Sequence, residues 1–141
     1  MIQEDLGKIK WTAVLVGFGV DFAFSVLVGA VVLSVMLSLK GQALDSENPM
    51  PSDVALVYQF VGVVGAAVGG VVAGFLARRR GSLHGVLASL IGLVLFVCSF
   101  LVLSGPAFSV GDLGFVVLNL VAAGYGGALG ERLRARRERE S

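Results

Sequence analysis

The chain has 141 residues, of which 56% are hydrophobic and only 15% charged, with a formal net charge of +1 and a mean hydropathy of +0.89. Soluble domains carry roughly 25% charged residues, and here the charges stand in short clusters between long uncharged stretches, which excludes a soluble enzyme and a disordered tail. A single cysteine, Cys98, closes no intramolecular disulfide, and a single histidine, His84, builds no zinc site that needs several N or S ligands.

The first apolar run, Trp11 to Leu39, is interrupted only by Asp21 and predicts a span over about residues 14–39. It exceeds the apolar core of a cleavable signal and lacks a small-residue cleavage site before the loop, so it reads as a retained helix. The connection that follows holds Lys40, Asp45, Glu47, Pro49, Pro51 and Asp53. Ser52 and Asp53 are expected to cap the second helix, predicted over 54–77, which carries no charge. Arg78 to Ser82 predicts a tight hairpin, with Gly81 and Ser82 ending one helix and starting the next. The third span is predicted over 83–104, with Cys98 as a small apolar filler. The fourth is predicted over 113–130, with Ser109 and Asp112 spaced as a capping box, and residues 131–141 read as a basic helical extension. The fold expected is therefore all-α: one domain, a polytopic bundle of four transmembrane helices.

Lysine and arginine set the orientation, because they are retained on the cytoplasmic side. Lys8, Lys10, Arg78, Arg79, Arg80, Arg132, Arg134, Arg136, Arg137 and Arg139 fall on one side of the predicted membrane and only Lys40 on the other. The expected location is the cytoplasmic membrane of a prokaryote with both termini inside. Arg78, Arg79, Arg80, Arg132, Arg134, Arg136 and Arg137 set this topology and meet anionic lipid headgroups. The C-terminal segment carries too little net positive charge for nucleic acid.

The second and fourth spans align when Gly69-Gly70 is laid on Gly126-Gly127, with Ala66 on Ala123 and Arg79-Arg80 on Arg136-Arg137. A duplication would make the protein two related helical hairpins. Small residues four apart let membrane helices approach closely, so Gly65, Gly69, Gly70, Gly74, Gly126, Gly127 and Gly130 are the expected packing residues, within the bundle or between copies. The stretch from Gly69 to Gly85, with its GG-x-x-AG pattern over Gly69 to Gly74 followed by the Arg78 to Arg80 turn, resembles the central hairpin of small prokaryotic four-helix membrane proteins of unknown function. That resemblance implies architecture and assigns no catalytic residue.

Two polar residues stand out in the spans. Asp21 is expensive in a membrane and shares a stripe with Gly17 and Ser25 that points it toward the bundle. Its expected partners are His84 or an arginine of the 78 to 80 turn. Gly17-Phe18-Gly19-Val20-Asp21 lacks both the spacing and the second aspartate of an intramembrane aspartyl protease, and Ser104 stands twenty residues along one helix from His84. No catalytic constellation, cofactor or metal site follows. The sequence thus points to a small non-enzymatic membrane protein acting through helix packing, as a homo-oligomer or an accessory subunit. The alternative is a channel or proton-coupled transporter subunit using Asp21.

Overall fold

The computed structural model describes residues 9–41, 51–103 and 110–140. Four helices follow one another: α1 Trp11–Leu39, α2 Ser52–Ala77, α3 Gly81–Leu103 and α4 Val110–Glu140. Helices of this length are about 35 to 46 Å long at 1.5 Å per residue. They form because their apolar runs are free of proline and a backbone deprived of water must bond to itself, and α4 continues beyond its apolar run through the charged residues 131–140. Among the described residues three of the helices, over Trp11–Leu39, Ser52–Ala77 and Leu113–Glu140, are long and apolar enough to cross a membrane.

The helix ends depart from the sequence reading in two places. Pro51 occupies the N-cap of α2 and no side chain caps it, so Ser52 and Asp53 lie inside the first turn. Proline needs no N–H partner there, and Asp53 is drawn instead to Lys40 at the end of α1, 2.5 Å away. The α2–α3 turn is only residues 78–80, and its left-handed positions are Arg78 (φ 72°) and Arg80 (φ 54°), not Gly81. Gly81 is glycine for a different reason, given below. Gly41, with φ 63°, ends α1 in the left-handed conformation common after helices and donates its N–H to the Ser38 carbonyl. Ser104 and Ser109, and with Ser109 the expected capping box, lie outside the described residues.

Contacts define a rhombus. α2 and α3 touch across its short diagonal, α1 lies against both, α4 lies against both, and among the described residues α1 and α4 do not meet. α1 runs antiparallel to α2 and α4 antiparallel to α3, as the pairings Gly17 with Ala73, Gly29 with Tyr58, Gly81 with Gly127 and Gly85 with Ala123 require. The short diagonal places α2 and α3 against each other at the centre of the bundle. Its buried core is made of small side chains, Val14, Ala73 and Ala88, with Phe18, Leu87 and Ile91 packed around them. Large apolar side chains such as Leu15, Phe22, Leu27, Val31, Val117 and Val121 face outward. A soluble bundle does the reverse. Cys98 is also exposed and fills no core.

Candidate functional site

Two polar constellations and one set of backbone contacts hold the described chain together. The first constellation surrounds the α2–α3 turn. A helix ends with unbonded carbonyls and begins with unbonded N–H groups, and here both needs are met from other helices. Lys10 Nζ donates to the Leu76 carbonyl at 3.2 Å and Arg134 Nη1 donates to the Phe75 carbonyl at 3.0 Å. These place two cations at the negative end of the α2 dipole. Arg134 also lies over the Phe75 ring, 5.8 Å from its centroid, and bonds Glu138 at 2.7 Å. At the start of α3, Glu131 Oε2 accepts the Gly81 N–H at 2.7 Å, a carboxylate at a positive helix end.

His84 completes this layer and is only 2% exposed. Its Nε2 accepts the backbone N–H of Lys10 at 3.0 Å, which leaves Nδ1 to carry the ring proton and donate it to the Arg80 carbonyl, also at 3.0 Å. The imidazole therefore ties the first residue before α1 to the turn between α2 and α3. Ser82 and Leu83 are exposed, but one residue later the chain is buried. His84 is thus bonded through both ring nitrogens and buried.

Asp21 forms the second constellation. The ion pair expected with His84 or the arginine turn is not made: both nitrogens of His84 are engaged, and Asp21 stands eleven residues beyond Lys10, about 16 Å along α1 at 1.5 Å per residue. Its hydrogen bond comes from the hydroxyl of Ser25, one turn on, at 3.3 Å. The stripe it shares with Gly17 does face α2. A β-carbon at Gly69 would stand 2.6 Å from that of Asp21, and one at Gly65 would meet Asp21 Oδ1 at 2.8 Å and the Ser25 hydroxyl closer still.

Glycines make the remaining contacts, backbone against backbone. β-Carbons at Gly70 and Gly74 would collide with the carbonyl oxygens of Ala123 and Gly127, and those at Gly126 and Gly130 with the carbonyls of Ala67 and Val71. Gly81 and Gly85 of α3 meet the same Gly127 and Ala123 carbonyls from the other side. α4 is thus seated in the groove between α2 and α3. The paired glycines divide their work: Gly69 faces α1 and Gly70 faces α4, while Gly126 faces α2 and Gly127 faces α3. In a symmetric duplication Gly126 would face α3 as Gly69 faces α1, so the matched glycines do not make matched contacts.

Arg132, Arg136 and Arg137 are exposed, whereas Arg134 is spent on capping α2. Glu131 and the capping role of Lys10 escape a reading of the sequence. The available signal was that Glu131 lies one turn from Gly127 and therefore on the same face. Among the described residues no cluster of His, Cys, Asp and Glu is placed to hold a metal ion. The chain matches no protein-family model, no curated protein and no solved structure. The likeness of residues 69–85 to small prokaryotic four-helix proteins rests on those residues alone.

Proposed function

We propose that the chain is a four-span integral membrane protein, with both ends on the cytoplasmic side, whose work is done by helix packing: it associates with copies of itself or with a larger membrane complex and catalyses nothing. The observation that carries this reading is the outer face of α1. Thr12, Val16, Gly19, Ala23, Val26 and Ala30 form one exposed line along the helix, and a β-carbon added at Gly19 would find nothing within 4 Å. Small residues on an outer face offer lipid little contact and offer another helix a close approach. Gly65, Gly69, Gly70 and Gly74 of α2 and Gly126, Gly127 and Gly130 of α4, by contrast, are consumed inside the bundle.

The deep polar groups favour packing over a pathway. Ser25 turns to Asp21, Ser34 to the Ala30 carbonyl at 2.8 Å, and Asn119 to the Phe115 carbonyl at 2.8 Å, each on its own helix. Groups satisfied within one helix in this way support packing rather than a shared polar route.

The test is disulfide cross-linking in native membranes. Ala23→Cys and Ala30→Cys, each with Cys98→Ser, are expected to give dimers on mild oxidation, while Val117→Cys on the outer face of α4 gives none. Equal yields at all three positions reject the α1 interface. Labelling of single cysteines checks the orientation: positions in 40–53 and 105–112 should react from outside, and those in 78–82 and 131–141 only from the cytoplasmic side.

A further inference from the structure

Asp21 has no part in the packing role just proposed, and its surroundings ask for a separate account. The charged layer of Lys10, the arginine turn, Glu131 and Arg134 marks one end of the bundle. Asp21 stands about 16 Å from it along α1, near the middle of a hydrocarbon core about 30 Å thick. Three helices meet at its carboxyl, and the two facing α1 present bare backbone: Gly65 and Gly69 on α2, and Gly92 on α3, where a β-carbon would lie 4.0 Å from Oδ2. The junction is built with room for the carboxyl, since glycines face it from both helices.

No positive charge is there to balance it. Between Trp11 and Leu39 the only charged residue is Asp21 itself, α2 carries only Asp53 in its first turn, and α3 contributes only His84, two turns below Gly92 with both ring nitrogens engaged. α4 does not touch α1 among the described residues. The hydrogen bond recorded for the carboxyl is from one neutral hydroxyl, Ser25. An ionised carboxylate in such a place is costly. A bound metal cation would relieve it only with the several oxygen ligands that hard cations take, and the site offers one carboxylate and one hydroxyl. A proton needs neither a counter-charge nor further ligands. Phe18 lies against Gly92, and Asp21 is only half-buried between Phe18 and the exposed Phe22, so its outer side is open.

We propose that Asp21 is a reversible proton-binding site within the membrane. The test treats the wild-type protein in phospholipid vesicles with dicyclohexylcarbodiimide, a lipid-soluble reagent that adds to protonated carboxyl groups. The acid proton passes to a carbodiimide nitrogen, the carboxyl oxygen bonds to its central carbon, and an oxygen-to-nitrogen acyl shift fixes the adduct with nothing leaving. Peptide mapping is expected to find the added mass of one carbodiimide at Asp21, with a rate that falls at least tenfold as the medium is made alkaline. Sodium in excess should give no protection. Ser25→Ala should keep the label and Asp21→Asn lose it. No adduct at Asp21 in acid or neutral medium, a rate that does not change with pH, or protection by sodium would each overturn the proposal. Because the map is made on the wild-type chain, a misfolded variant does not decide it, and its failure leaves the packing reading untouched.

Discussion

The charged end of the bundle and its apolar middle hold the same helices by opposite means. At the end, Lys10, His84, Glu131 and Arg134 reach across to backbone groups that a helix terminus leaves unbonded. In the middle every backbone group is already bonded within its helix, so Gly70, Gly74, Gly126 and Gly130 give no hydrogen bonds and supply only proximity. The difference teaches where polar interactions are worth making in a membrane protein: at helix ends, where the backbone has something to accept, and not along the shafts, where close contact is the available source of cohesion.

The sharpest way to break the comparison is to enlarge the middle. Gly74→Leu and Gly126→Leu would force side chains onto backbone carbonyls that cannot retreat, and each is expected to cost at least the roughly 1 to 3 kcal/mol of an overpacked core, lowering the thermal midpoint in detergent steeply. Gly62→Leu, where no atom lies within 4 Å of the added carbon, should leave the midpoint unchanged. At the charged end the effect turns on hydrogen bonds. His84→Ala leaves the Lys10 N–H and the Arg80 carbonyl without their partner and is expected to cost about 1 to 3 kcal/mol. Glu131→Ala, read in the same melts, removes one cap at a part-exposed helix end and is expected to cost about 0.5 to 2 kcal/mol. The smallest effect belongs to the exposed Lys40 and Asp53 pair, where Asp53→Asn should change stability by roughly 0 to 1 kcal/mol, with the difference vanishing in high salt.

Much of the architecture was legible because membrane helices announce themselves by length and hydropathy, and the prolines of the first connection fall where α1 and α2 part. The packing glycines were legible too, as residues four apart. What the sequence did not give was which helix each one faces: neighbouring glycines at 69 and 70 differ by about 100° around the axis, and only the positions of α1 and α4 decide their partners. The partner of Asp21 was misread for a related reason. His84 enters from the same side of the membrane, but the register of α1 against α3 is fixed by Lys10 N–H on the imidazole, which consumes the histidine and carries Asp21 well beyond it. The capping of the turn by Lys10, Glu131 and Arg134 was hidden because each bond joins residues 50 to 66 or so apart in sequence.

The seat of α4 between α2 and α3 bears on how the protein is made. The carbonyls of Ala123 and Gly127 and the glycines at 126 and 130 leave the ribosome after α2 and α3, and they complete contacts begun by Gly70, Gly74, Gly81 and Gly85. Until α4 is inserted, the α2–α3 hairpin carries an open groove of bare backbone and a Gly81 N–H awaiting Glu131. α4 therefore closes the α2–α3 hairpin, and a chain shortened before residue 123 should be left with a sticky, unfinished groove that membrane quality control can recognise.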